Sequence, residues 1–128
     1  MKVIGYIRVS TGKQEESGLS LEVQEAKVRQ YCELYELELS EVIVDAGESA
    51  KTLSRPGVQR ALDLLKSGVA QGLVVAKLDR LTRNIRDMNY LIEEIFNTSS
   101  LFSVTDQVDT RSPSGRLVLN ILMSVAQW

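Results

Sequence analysis

The chain has 128 residues, is 44% hydrophobic and carries a formal net charge of −2, with one cysteine and no histidine. That length suits a single domain with a packed core, and the charge excludes a whole-surface grip on nucleic acid. Without histidine a Ser/His/Asp or Cys/His catalytic system is excluded, and with one cysteine so are the usual zinc ligand sets. Cys32 also excludes an intramolecular disulfide and reads as a small core residue on a helix. No apolar run is long enough to span a bilayer, so no membrane partner is expected. The N-terminus begins directly on strand-like sequence with no signal-peptide hydrophobic region, so the expected location is the cytoplasm.

Lys2 to Val9 (KVIGYIRV) is rich in β-branched and aromatic residues and predicts a first strand. Thr11 to Gly18 is polar and reads as a loop. Ser20 is a plausible N-cap with Glu22 in the first turn. Leu21, Val28, Cys32 and Tyr35 then recur at helical spacing, giving a helix to about Leu37. Val42-Ile43-Val44 predicts a short strand ending at Asp45, followed by a polar, mobile loop to Arg55. Pro56 opens the next helix, with Leu62 and Leu65 facing inward and Ser67-Gly68 closing it. Gly72 to Ala76 predicts a third strand running into Lys77 to Arg83 (KLDRLTR). Ile85, Met88, Ile92 and Ile95 form the apolar face of a third helix, Leu101 to Val104 a fourth strand, and Asp106 to Ser114 a loop. Leu117 to Trp128 (LVLNILMSVAQW) is helical in pattern but apolar around most of its circumference. Such a helix is buried in a core or against another chain; the expectation here is a fragment cut inside a longer helix that oligomerisation partly buries.

Strand and helix alternate throughout, which argues an α/β layered domain with a mainly parallel sheet. Ligands of such sheets gather at the carboxyl ends of the strands, and Ser10, Asp45 and Asp79 sit where predicted strands end. Arg8 and Ser10, two apart, share one face of the first strand, so Arg8 can reach a phosphate oxygen while Ser10 faces phosphorus. On these two residues alone, a turn serine and an edge-strand charge is the preferred reading. Ser10 to Lys13 do not complete a nucleotide-binding glycine loop, because Gln14 stands where Ser or Thr is required. The strongest local signal is KLDRLTR: on a helical turn Arg80 and Arg83 share a face, and Arg83-Asn84 lies at a helix entrance that attracts anions. Guanidinium forks match phosphate, while Asp79 among them orients them or exchanges a proton; a solvated salt-bridge cluster is the bland alternative. Arg55 adds a further arginine from the loop before Pro56. Gln24, on an otherwise apolar helical face, needs polar partners, for which the loop after the first strand is placed.

Together, Tyr6-x-Arg8-Val9-Ser10, Ser20-Leu21-x-x-Gln24, Asp45-x-Gly47, Arg55-Pro56 and Lys77-Leu78-Asp79-Arg80-Leu81-x-Arg83 resemble the serine site-specific recombinases, the resolvase/invertase family, over almost the whole chain. Ser17 to Gln24 and the later SPSGRL…AQW are most similar to the large serine integrases and transposases. The resemblance implies a three-layer resolvase-like fold, a mainly parallel sheet flanked by helices and ending in the start of a long oligomerisation helix. It implies that Ser10 attacks a DNA phosphodiester, forming a 5′-phosphoserine link and releasing a 3′-hydroxyl. Arg8, Arg80 and Arg83 match the phosphate-binding arginines, Arg55 the one on the mobile loop, and Asp79 the acidic member. Tyr6, Gln24, Asp45, Ser49 and Lys77 are supporting residues.

Family members act as tetramers that cut all strands, rotate one half of the complex and rejoin without metal or ATP. The implied partners are therefore DNA, through the full-length chain, and further copies in a dimer or tetramer, with no cofactor. Leu117, Ile121, Leu122, Val125 and Trp128 are the expected interface. The resemblance also implies that the last helix continues to a Glu-Arg pair with a further catalytic arginine, and that a DNA-binding region follows. With no histidine, the serine proton leaves through Asp79, an arginine or the phosphate itself. Two competing readings are a non-catalytic flavodoxin-like module that binds an anion at the strand ends, and a small serine-dependent phosphohydrolase.

Overall fold

The computed structural model describes residues 1–9, 20–47 and 53–125. In chain order the elements are β1 (Lys2–Val9), α1 (Leu21–Leu34), β2 (Glu38–Ala46), α2 (Pro56–Lys66), β3 (Gly72–Val75), α3 (Leu78–Leu81), α4 (Ile85–Glu94), β4 (Ser100–Ser103), β5 (Val108–Asp109) and α5 (Pro113–Ser124). They form a five-stranded sheet in the order β2-β1-β3-β4-β5. β2, β1, β3 and β4 run parallel, and β5 is antiparallel to β4. Helices cover both faces, so this is the three-layer α/β architecture that the alternating sequence predicts.

β1 shows why the layers form. Its side chains alternate between the faces with period two. Val3 and Ile7 pack with Val28, Cys32 and Phe102 on the α1 side. Ile4 and Tyr6 join the larger core with Val58, Leu62, Leu78 and Met88 on the other. A parallel sheet buried on both sides calls for a nearly continuous apolar strand, and every β1 residue after Lys2 is buried. Arg8 continues the even-numbered set and points toward α2 and α3. Gly5 lets α1 approach: a Cβ there would meet Val28 Cγ1 at 2.9 Å.

Several boundaries differ from the sequence expectation. α1 stops at Leu34 rather than Leu37, because Glu36 turns left-handed (φ 57°) and Leu37 N–H folds back to the Cys32 carbonyl at 2.8 Å. β2 spans Glu38–Ala46 instead of three residues; Glu38 and Glu41 lie on the sheet's open edge, where charge is tolerated. β5 occupies part of a predicted loop. α5 begins at Pro113, not Leu117, with Ser112 Oγ accepting from Gly115 N at 3.0 Å as its N-cap. Among the described residues no helix is long and apolar enough to cross a membrane.

Cys32 sits in the α1 core at 3% exposure, and burial pushes its thiol up from 9.0 to about 11. Above pH 9 the unfolded chain loses this proton first, so alkali favours unfolding. The stabilisation is complete below pH 9 and is lost as pH rises through about 11. Urea midpoints measured at pH 8 and pH 10.5 are expected to fall less for Cys32→Ala than for the parent chain. An equal fall in both would refute the assignment.

Candidate active site

Because β1, β2 and β3 run parallel, their carboxyl ends share one rim of the sheet, with Arg8 of β1 in register with Asp45 of β2. α3 follows β3 directly and brings Asp79 and Arg80 to the same rim. Three arginines converge there and are buried: Arg8 and Arg55 at 2% exposure and Arg80 at 0%. A buried guanidinium needs hydrogen-bond acceptors, and the backbone of α3 supplies them. Arg8 donates Nε to the Arg80 carbonyl at 3.0 Å and Nη2 to the Asp79 carbonyl at 3.1 Å. Arg55 donates Nη1 to the Arg80 carbonyl at 3.0 Å and Nη2 to the Leu81 carbonyl. Arg80 returns Nη1 to the Arg8 carbonyl at 3.3 Å and donates Nε to Asp79 Oδ1 at 3.0 Å. The sequence delivers Arg55 on a mobile loop; its side chain instead lies under Tyr6, with its guanidinium carbon 5.7 Å from the ring centroid.

Asp45 has a defined structural task at this rim. Its Oδ1 accepts from Gly57 N at 2.8 Å and its Oδ2 from Val58 N at 3.1 Å, capping α2 from a distance. The same Oδ2 accepts from Tyr6 Oη at 2.7 Å, and Tyr6 Oη accepts from Arg55 Nη1 at 2.9 Å. Burial pushes the Tyr6 hydroxyl well above the ordinary tyrosine range; the Arg55 charge opposes this and the hydrogen bond to Asp45 reinforces it. Tyr6 therefore stays neutral and bridges a carboxylate to a guanidinium. Gln24, fully buried, meets the expected need for partners on the backbone of Arg8: its Oε1 accepts from Arg8 N at 3.1 Å and its Nε2 donates to Arg8 O at 2.8 Å.

Arg80 and Arg83 do not share a face, contrary to the helical reading. Thr82 is extended (φ −160°, ψ 151°) and buried, so the helix breaks between them. Arg80 points inward, while Arg83 stands at the surface with Nη2 3.8 Å from Asp79 Oδ2. Lys77 Nζ approaches the same oxygen at 4.0 Å. The entrance of α4 is where the sequence puts it, but Asn84 Oδ1 already accepts from Arg86 N and Asp87 N. Asp106, which no local pattern flags, accepts from Leu78 N at 2.7 Å and Ser103 Oγ at 2.8 Å. Lys77, Asp79, Arg83 and Asp106 line one cavity of about 260 Å³ with Leu78 and Leu122.

Chemically, the rim gathers guanidinium charge around Asp79 at the end of β1, immediately before Ser10 in the chain, and suits an oxyanion. Ser10 and Ser49 lie outside the described residues. Among the described residues no three His, Cys, Asp or Glu side chains are grouped to hold a metal. Leu117 and Ile121 of α5 and Val125 at its C-terminal cap form an exposed apolar stripe at four-residue spacing, at 58%, 52% and 63% exposure. Leu122 is half-buried, and Trp128 lies outside the described residues.

The sequence model of the family described as "Resolvase, N terminal domain" matches residues 3–128. A DNA-invertase of Escherichia phage P1 is 35% identical over 126 residues, covering 98% of this chain and 60% of its own length. The serine recombinase gin of Escherichia phage Mu is 37% identical over 128 residues, covering 98% of this chain and 58% of its own. The chain thus spans about three fifths of the length of these curated relatives. Among solved structures, the N-terminal catalytic domain of TP901-1 integrase superposes with a TM-score of 0.86 at 36% identity, over 98% of this chain and 93% of that one. A resolvase family site-specific recombinase from Streptococcus pneumoniae gives a TM-score of 0.77 at 30% identity, over 99% and 86%.

Proposed function

The chain belongs to the resolvase N-terminal-domain family, and from that premise we propose that it is the catalytic domain of a serine site-specific recombinase. The observation that carries this reading is the convergence of Arg8, Arg55 and Arg80 around Asp79 on the strand-end rim that leads into Ser10. Ser10 Oγ attacks a DNA phosphodiester. The new bond is Oγ–P and the broken bond is P–O3′, leaving a 5′-phosphoserine and a 3′-hydroxyl. The serine proton departs through Asp79, an arginine or the phosphate, and the leaving O3′ takes up a proton.

Phosphoryl transfer demands positioning and charge stabilisation. Arg83, exposed at the rim, makes the first contact with the phosphate. Arg8, Arg55 and Arg80 stabilise the charge that develops on its oxygens. The phosphoserine retains the energy of the broken bond, so attack by a 3′-hydroxyl reseals DNA with no cofactor.

The net charge of −2 supports assigning sequence readout and most affinity to a DNA-binding region elsewhere in a longer protein. The α5 stripe, with Leu122 and Trp128, is the self-association surface for a dimer or tetramer. The isolated chain is expected neither to hold DNA tightly nor to recombine it.

The test is to incubate the full-length protein with target DNA and trap a covalent adduct on Ser10 by denaturing electrophoresis and mass spectrometry. Ser10→Ala is expected to abolish the adduct while DNA binding persists. Undiminished function in Ser10→Ala would favour an anion-binding module, and turnover of small phosphate esters with water as acceptor would favour a phosphohydrolase.

A further inference from the structure

α3 is a single turn, Leu78–Leu81. One turn is far too short to be stable alone, yet it sets where Asp79 and Arg80 point. Its C-terminal end is held by guanidiniums: the carbonyls of Asp79, Arg80 and Leu81 all accept from Arg8 or Arg55. Its N-terminal end has no cap of its own, since Lys77 makes no side-chain cap bond. Asp106 supplies that function from 28 residues away, accepting from Leu78 N at 2.7 Å.

We propose that Asp106 is a positioning residue for the Leu78–Leu81 turn that carries Asp79 and Arg80, a role that rests on the recombinase reading above. The turn is clamped at both ends, by a carboxylate at its positive pole and by guanidiniums at its negative pole, each with the sign that favours the helix dipole. The carboxylate is itself fixed. Its Oδ2 also accepts from Ser103 Oγ at 2.8 Å. The segment that carries it is tied to the end of β3 by Val104 N to the Val75 carbonyl at 3.0 Å and Thr105 N to the Ala76 carbonyl at 2.9 Å. Asp106 shares the cavity of about 260 Å³ with Lys77, Asp79 and Arg83, so it stands beside the rim groups without bonding to them. Leu122 of α5 forms another wall of that cavity.

The test has two independent arms. In the chain of 128 residues, NMR follows the Leu78 amide and the Arg80 Nε–H, which donates to Asp79. Asp106→Ala is expected to move both signals, and Asp106→Asn, which keeps an acceptor oxygen, to return the Arg80 signal toward its original place. If Asp106→Ala moves only Leu78, the carboxylate is a local cap and the proposal falls. Should Asp106→Ala fail to fold, Ser103→Ala, which frees the same carboxylate, must shift the Arg80 signal; an unmoved signal overturns the proposal. In the full-length protein, Asp106→Ala is expected to slow single-turnover adduct formation about 10- to 100-fold with DNA affinity unchanged, and Asp106→Asn to recover most of that rate. An unchanged rate in Asp106→Ala also overturns the proposal. If the parent protein forms no adduct, the recombinase reading fails, whereas the NMR arm still decides whether Asp106 holds the turn.

Discussion

Asp45→Ala is expected to destabilise the fold by about 3 kcal/mol in urea denaturation, a large effect for a single carboxylate. Asp45 is 4% exposed and accepts three hydrogen bonds, from Tyr6 Oη, Gly57 N and Val58 N. Removing it strands two amides at the start of α2, whose own N-cap residue, Arg55, makes no side-chain cap bond. It also leaves Tyr6 Oη without its acceptor, beside the buried Arg55. Hydrogen bonds to charged groups contribute about 1.5–3 kcal/mol each, and stranding buried donors adds a desolvation cost. Asp45→Asn keeps one acceptor oxygen and is expected to recover roughly half the loss.

Two further variants separate this account from a generic loss of packing. Gly57→Ala leaves Asp45 in the sequence but puts a Cβ 2.7 Å from its carboxyl carbon and both oxygens, so it should destabilise by the same route. Tyr6→Phe combined with Asp45→Ala should cost clearly less than the sum of the two single changes, because both remove one shared bond. Strict additivity would show that Asp45 and Tyr6 act separately.

Asp45 also shows what was and was not legible in the sequence. Its place at a strand end was readable from Val42-Ile43-Val44. Its bond to Gly57 and Val58 was not, since those partners lie twelve and thirteen residues on and meet it only after α2 packs. The same holds for Arg8, Arg55 and Arg80. Their convergence follows from parallel strands that end on one rim, but the α3 carbonyls that hold them carry no side-chain signature. A spacing of three places Arg80 and Arg83 together on a helix, and Thr82 separates them because a buried, extended β-branched residue ends the turn after Leu81. β1, α2 and β3 are legible nearly to their ends, since apolar period and turn residues agree there. β5 is too short, at two residues, to show a period. The start of α5 was written locally, as Ser112 before Pro113 at the first helical position, but was obscured by the loop-like composition of Asp106 to Ser114.

Gly115→Ala at that helix start tests how α5 leaves the domain, and here two physical expectations oppose each other. By helix propensity alone, alanine should stabilise by about 0.5–1 kcal/mol. The local contacts reverse the sign. A Cβ at Gly115 would overlap the Asp109 carbonyl oxygen and lie 2.7 Å and 2.8 Å from Asp109 C and N. Those are backbone atoms of β5, so no rotamer relieves them and the first turn must lift. Lifting it strains the Ser112 cap on Gly115 N at 3.0 Å and the bond from Arg116 Nε to the Thr110 carbonyl at 2.7 Å. It also draws Leu119, the buried apolar residue of α5, out of the core. Overpacking of this kind costs about 1–3 kcal/mol, so Gly115→Ala is expected to be net destabilising by about 2 kcal/mol. Ser114→Ala, at an exposed neighbouring position, should change stability by less than about 0.5 kcal/mol. Because the stripe of Leu117, Ile121 and Val125 is aimed by this junction, Gly115→Ala should also weaken the self-association proposed for that stripe, read by sedimentation, whereas Ser114→Ala should not. A stabilised Gly115→Ala would mean that α5 is not seated on β5 as described, and the aim of its apolar stripe would need a different origin.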